Sequence, residues 1–578
     1  MLPLIRCLSC LLLAAALLFA LPTGDAQSDA ASLRDWIPAG FDGFIQLDTS
    51  NPSRTLQTIN QGMLTAAALQ PTRVDLNAAL TYNDLFPLDL FDLEDASFDA
   101  QIAPWLGDSL IVAYQQLDAL ITSRADQRLL ILAPEDAFAA AAALNRVLEG
   151  QDLLQHATYR GQTIYAADRT AIALTPLAIL IGPESLIEAA LDAQAGAAAR
   201  LTDDDAYAAV ADALDDGAAL FAYVHGQPAA GALSALLGAD AEGGALLAAA
   251  GETIAWLNEV ESLESQLLRG TADAVGVAVY PQRIGSNLLR ADVALHGLDA
   301  AATYREPSTR TVQWIPRSAA LVHNGASGAQ GLTSALAALP LLNFAPQVLG
   351  ALPLPSAQSG PTVLPSAPTS AALQTAVESF FDVIAATTGL DLTTDVISAF
   401  NGDYSLAVLP RPNNPTPVLS TPYDLLLVAR VGDAAVIESL RALLETYLPQ
   451  ANIALESIDD RPFLTLRPLP GPGVSPDDDP VLRIGVIGEV LLAGTGSAID
   501  LALHAGRGDN RLIDQARWTA LNGDDQAVSL YVDITAYYNT FFPTAGGTSA
   551  GPVRQFSVSG GWLDSGIFRW QAQAALDS

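Results

Sequence analysis

Residues 35–48 read DWIPAGFDGFIQLD, and residues 313–324 read QWIPRSAALVHN. Trp-Ile-Pro is written twice, 278 positions apart, each time ahead of a short apolar run. Proline has no N–H to give to a sheet ladder and suits the first residue of a strand, while the Trp and Ile before it can pack beneath that entry. The tripeptide reads as a structural start mark, not a binding motif. If it opens a repeated unit, the segments after the two copies should follow in the same order.

They do. WLGD (105–108) followed by SLIVAYQ corresponds to FNGD (400–403) followed by YSLAVLP. RLLILAPEDAFAAAAALNRVLEG (128–150) corresponds to DLLLVARVGDAAVIESLRALLETY (424–447), each a β-rich run leading into a segment of helical period. In the second, Val436, Ile437, Leu440, Leu443, Leu444, Tyr447 and Leu448 share one helical face. LAILIGPESLIEAALDA (177–193) matches VLLAGTGSAIDLALHA (490–505), and DDGAALFAYVH (215–225) matches GDDQAVSLYVD (523–533). The pattern predicts a tandem duplication, with a first unit over 27–310 and a second over 311–578. Pro-rich loops interrupt the second unit near 351–368, 410–422 and 468–480. Many links between strand runs are hairpin-short, which favours antiparallel pairing. The expected fold class is α+β: two tandem related units, each a mainly antiparallel β-sheet with helices packed on one face.

Composition narrows the function. Half of the 578 residues are apolar, enough to fold by burial, and the length exceeds one ordinary core. The 63 acids outweigh 27 bases, for a formal charge of −36. Phosphate binding needs clustered cations, so nucleic acid is excluded as a partner, and anionic lipid surfaces are disfavoured. Every base is Arg; Lys does not occur. That removes the P-loop lysine, Schiff-base lysines and Ser–Lys dyads.

Arg6, the apolar run Leu11–Leu21 and the small residues Gly24 and Ala26 form a secretory signal peptide over 1–26, with cleavage expected after Ala26. The mature chain is then extracytoplasmic, secreted or envelope-associated, and no later run is long enough for a transmembrane helix. Both cysteines, Cys7 and Cys10, lie in the removed segment, so thiol nucleophiles, thiolate zinc sites and disulfides are excluded from the mature chain.

The remaining motifs are weak. Gly547-Thr548-Ser549-Ala550-Gly551 spells a serine-hydrolase elbow, but it lies between Pro543 and Pro552 with no histidine after His504. Gly494-Thr495-Gly496 follows a strand and opens a helix, yet Ile499 stands where a dinucleotide loop needs its third glycine. The corresponding turn, Gly182-Pro183-Glu184-Ser185, carries a carboxylate that would repel phosphate. His156, His225, His296, His323 and His504 are widely spaced and form no metal motif. Asp203-Asp204-Asp205 precedes a helix and suits its dipole; Asp477-Asp478-Asp479 sits in a Pro-rich loop. Neither has calcium-loop spacing. Arg507-Gly508-Asp509 reads as a turn, and Tyr537, Tyr538, Phe541 and Phe542 as core of a closing segment. No catalytic, cofactor-binding or metal-ligating residue is nominated.

The leader, the IPAGFDGFIQLD opening, the LGDSLIVAY strand and the unit LLILAPEDAFAAAAALNRV together resemble a bacterial extracytoplasmic family catalogued as domain of unknown function 3352. The resemblance implies an exported α+β protein with no established catalytic residues, so no site carries over. The expected function is a non-enzymatic exported binding or scaffold protein with an unknown extracytoplasmic ligand or protein partner. The alternatives are a secreted hydrolase using paired carboxylates or a carboxylate/His metal site, and a calcium-dependent surface protein.

Overall fold

The protein is described by a computed structural model over residues 33–69, 102–117, 127–150, 154–167, 170–214, 216–228, 272–281, 287–298, 308–326, 400, 402–411, 423–432, 441, 453–467, 482–522, 528–541 and 553–576. The expected signal peptide, the Pro-rich loops apart from Pro410 and Arg411, the expected helical face at 436–448 apart from Arg441, Gly547–Gly551, Asp477–Asp479 and Phe542 lie outside the described residues.

β-branched and Leu-rich runs form strands because their side chains pack on a pleated surface. In the first half these are β1 (Gly43–Asp48), β2 (Leu106–Tyr114), β3 (Arg128–Pro134), β4 (Leu154–Tyr159), β5 (Gln162–Ala167), β6 (Thr170–Leu174), β7 (Ile179–Gly182), β8 (Leu220–His225), β9 (Ala274–Tyr280) and β10 (Leu288–His296). In the second half they are β11 (Leu321–Gly325), β12 (Tyr404–Pro410), β13 (Tyr423–Arg430), β14 (Ile453–Ile458), β15 (Arg461–Leu466), β16 (Leu482–Ile487), β17 (Val490–Gly494), β18 (Val528–Asp533), β19 (Val553–Trp562) and β20 (Phe568–Leu576).

Among the described residues all strand pairings are antiparallel. From the outer edge inward the first half runs β4-β5-β6-β7-β3-β2-β1-β8-β9-β10. The second runs β14-β15-β16-β17-β13-β12-β11-β18-β19-β20. Strands taken in sequence order hold corresponding places in the two halves. The halves meet where β10 pairs with β20, which makes one sheet of 20 strands among the described residues.

This corrects the expected fold class. The protein is mainly antiparallel β in a single continuous sheet, not two tandem sheets, and its described helices are few and lie on both faces. The cause is visible in strand burial. β1, β2 and β3 bury side chains on both faces, so each face needs its own cover. On one face, Leu56 of α1 (Pro52–Leu69), Ala140 and Leu144 of α2 (Ala137–Gly150), and a C-terminal helix (Ile534–Phe541) share a core that runs from Ile45 through to Leu576. On the opposite face there are two cores. α3 (Glu184–Gln194) and α4 (Asp205–Ala213) cover the first half; α5 (Ala498–Gly506) and α6 (Ala516–Asn522) cover the second. The C-terminal helix is α7. Among the described residues, no helix is long and apolar enough to cross a membrane.

Trp-Ile-Pro lies ahead of the strand instead of opening it. Ile37 and Ile315 are fully buried, and their carbonyls accept from Leu201 N and Leu512 N, both at 2.9 Å. Pro38 bridges to Arg200 and Pro316 to Arg511. In each half the tripeptide clamps the short turn that leads into the last helix over the divided face.

Candidate binding surface on the seam between the halves

The seam pairs Leu288 with Ala575 through to Leu295 with Phe568. Its two faces differ. Leu289, Ala291, Val293 and Leu295 meet Phe568, Trp570, Ala572 and Ala574 in the shared core. On the other face the ends of the seam are apolar: Leu288 and Ala575 pack into the second half's core, while Ala294 and Ile567 belong to the first half's. Between those ends lies a polar strip. It comprises Arg290 and Asp292 on β10, Arg569, Gln571 and Gln573 on β20, and Ser557 and Ser559 across from the two glutamines on β19.

Asp292 is the centre of the strip, with a side chain that is 0% exposed. A buried carboxylate is costly unless it is paired and hydrogen-bonded. Arg290 Nε donates to Asp292 Oδ1 at 2.9 Å, and the Nη2 atoms of Arg290 and Arg569 both donate to Oδ2. Gln571, with its amide oriented to satisfy its neighbours, accepts from Arg290 Nε at 2.7 Å. The Arg290 guanidinium also lies over the Tyr280 ring, 4.6 Å from its centroid, a cation–π contact. Both arginine side chains are partly exposed, 24% for Arg290 and 19% for Arg569.

Among the described residues, the cover over the two glycines that flank this strip differs. Val210 and Leu214 stand over Gly276 of β9, where a Cβ would clash with them. Gly561 of β19, opposite Arg569 on the strip's face, differs: a Cβ built there has no described atom within 4 Å.

The motifs singled out in the sequence go elsewhere. The turn at Gly494–Ser497 encloses the buried Asp424 of β13. Its carboxylate accepts from Ser497 N at 3.1 Å and Ser497 Oγ at 3.0 Å, and Arg411 lies 3.3 Å away. Burial pushes the Asp424 pKa upward, against the pull of Arg411 and Ser497. The donors that a phosphate would need are thus bonded to the protein's own carboxylate. Asp204 caps α4 by accepting from Ala206 N at 2.7 Å and Tyr207 N at 3.3 Å, and Asp203 accepts from Arg200 N. Arg507-Gly508-Asp509 is the turn that ends α5, with Arg507 paired to Asp459. Tyr537 of α7 is partly buried against the shared core.

The histidines are dispersed. His323 sits between the Ser529 carbonyl on Nδ1 and the Tyr404 hydroxyl on Nε2, each at 3.0 Å; the carbonyl can only accept, which places a proton on Nδ1. Burial pulls its pKa down to about 4. His225 contacts Tyr223, and His296 lies 3.5 Å from Asp273. Among the described residues no three His, Asp or Glu side chains converge as a metal site.

Sequence reading missed Arg290, Asp292, Arg569 and Gln571. In LLRADVALH and FRWQAQAAL the polar residues alternate with apolar ones, the ordinary pattern of a sheet with one wet face. The signal that this face is enclosed lies only in the pairing of the two strands, which are 280 residues apart.

Comparison with known proteins gives one family match. The model of a protein of unknown function (DUF3352) matches residues 84–462, about two thirds of the chain. No curated protein matches. Two solved structures are similar over part of the chain. Crystal form III of TP0453 is 11% identical, with a TM-score of 0.23, covering 48% of this chain and 82% of that one. Crystal form IV of TP0453 is 10% identical, with a TM-score of 0.22, covering 45% and 79%. Likenesses of that size carry no argument about fold or activity. The family match covers more than half of the chain, and by it the chain belongs to the DUF3352 family of proteins of unknown function.

Proposed function

We propose that this is an exported, non-enzymatic binding or scaffold protein built from two related units, and that the polar strip on their seam meets its ligand. One observation carries the reading. A buried carboxylate holds two partly exposed guanidiniums in place, inside a polar patch with apolar cores at both ends. Fixed donors on a rigid sheet are the usual basis of orientation and specificity in a binding site. The matching strand orders and the paired Ile37 and Ile315 contacts support the duplication. The leader and the absence of Cys after position 10 support export.

The test is a thermal-shift screen of residues 27–578 with calcium, oligosaccharides and short peptides, run beside Arg569→Gln. The expected result is a ligand that raises the Tm of the parent and not of the variant. A ligand whose shift survives Arg569→Gln and Ser559→Ala would put binding elsewhere. Export is checked separately: N-terminal sequencing of the envelope or culture fraction should begin at Gln27.

A further inference from the structure

We infer that the outer edge of β14 pairs with the same edge of a second copy of this chain, the two strands antiparallel about a two-fold axis at Leu455. The contact is separate from the seam and does not depend on it. The sheet ends at β4 on one side and at β14 on the other, and among the described residues each is paired with one neighbour, β5 and β15. An end strand is a template for another strand unless a bulge, a proline or a charge blunts it. β4 is blunted, for its register shifts between Gln155 and Thr158. β14 reads IALESI, holds no proline and keeps an unbroken register from Ile453 to Ile458. Its charged side chain, Glu456, accepts from Arg467 and, at 3.1 Å, from Thr465 Oγ1.

The phase of the hairpin fixes which groups face outward. β14 and β15 are joined by Asp459-Asp460, both in left-handed backbone with φ of 51° and 59°. Ile458 and Arg461 therefore form the hydrogen-bonded pair that closes the turn. Alternation from there turns Glu456 and Ala454 toward β15 as well, and leaves the N–H and C=O of Ile453, Leu455 and Ser457 on the outer edge. The Leu455 side chain is 57% exposed. It ends an apolar row on the shared-core face that runs from Leu427 through Ala493, Ile484 and Leu464.

These features select the partner. Two edges related by an axis perpendicular to the sheet keep their faces, so residues set opposite each other lie on one face. With the axis at Leu455, Leu455 meets its own copy and Ile453 meets Ser457, so that the outward N–H and C=O groups of all three are paired. The same register extends the apolar row with a second Leu455 and sets Ala454 opposite Glu456 on the other face. An axis at Glu456 would oppose two carboxylates instead. A net charge of −36 works against self-association at long range. At this edge Glu456 and Asp459 are each bound to an arginine of their own chain, which offsets that repulsion where the strands meet. The chain already joins its two halves in the same way, end strand to end strand and antiparallel, across β10 and β20.

The experiment is sedimentation velocity on residues 27–578 in a concentration series from the micromolar to the submillimolar range. Two variants are compared. Leu455→Asp sets like charges on the axis, and Ser457→Pro removes an outward N–H; both changes lie on the outer edge, and their Tm should match the parent's. The parent should pass from monomer to dimer as concentration rises, and each variant should stay monomeric throughout. A peptide spanning residues 452–459 should return the parent dimer to monomer, a readout that does not depend on the folding of a variant. A parent that is monomeric at every concentration would overturn the inference. A dimer that both variants and the peptide leave intact would place the contact elsewhere and overturn it too. Species that keep growing beyond the dimer would contradict the two-fold axis. A monomeric parent that binds a peptide of alternating threonine and valine, with binding lost in Ser457→Pro, would give the edge to another protein in place of a second copy.

Discussion

Asp292 is the residue on which the seam depends most. Its burial is sustained by charges from both halves, Arg290 on its own strand and Arg569 on the facing one. Removing the carboxylate from a buried ion cluster takes away the charge that offsets the desolvation of its partners, at a cost of about 3–5 kcal/mol. Asp292→Ala should lower the unfolding free energy by that amount in urea, whereas Asp292→Asn, which keeps the shape and part of the hydrogen bonding, should cost less. An effect below about 1 kcal/mol for Asp292→Ala would mean that the cluster does not hold the seam. His323 makes a different prediction, about pH. Its folded pKa of about 4 lies below the ordinary value of 6.5. Between the two the unfolded chain binds the proton more readily. Its contribution is complete above about pH 6.5 and declines as the pH falls toward 4, by at most about 3 kcal/mol. His323→Gln should flatten the stability curve in that window; an unchanged curve would show that the ring is not buried as described.

At the scale of elements, helix starts and strand runs are set by local chemistry and were readable. Asp204 stands at the N-cap of α4, the position suggested by its place in an acidic run before an Ala-rich segment. Asp204→Ala should cost about 1 kcal/mol in chemical denaturation, with Asp204→Asn close to the parent. SLIVAY and DLLLVA become β2 and β13 because continuous apolar runs suit strands buried on both faces. Which face a helix covers was not readable. α2 and α3 are both Ala-rich and amphipathic, yet they lie on opposite sides of the sheet. Periodicity gives a helix an apolar stripe without saying which face of a two-sided sheet will receive it. The opening tripeptide shows the same boundary. Its burial was foreseeable from Trp and Ile, but its partner is a turn more than 160 residues further on.

At the scale of the whole molecule, what decides the architecture is the fate of the last strand in each half. From sequence, β10 and β20 read as closing strands of separate sheets, because pairing between strands 280 residues apart leaves no local trace. In the structure they close each other. The shared core on one face continues from Ile45 to Leu576 without regard to the division of the chain. Ile567, in the turn between β19 and β20, packs into the first half's outer core, and Leu288 of β10 packs against the second half's. Cross-packing of this kind predicts one cooperative unfolding transition, in which near- and far-ultraviolet signals coincide; two resolved transitions would mean that the halves are only loosely joined. The most direct measurement is site-resolved hydrogen exchange along β10. Successive amides of a strand point alternately to its two neighbours, here β9 and β20. If the halves form one sheet, every amide from Leu289 to Leu295 exchanges slowly and at similar rates. Rapid exchange of every second amide, with protection kept only on the side facing β9, would make β10 an edge strand and contradict the continuous sheet.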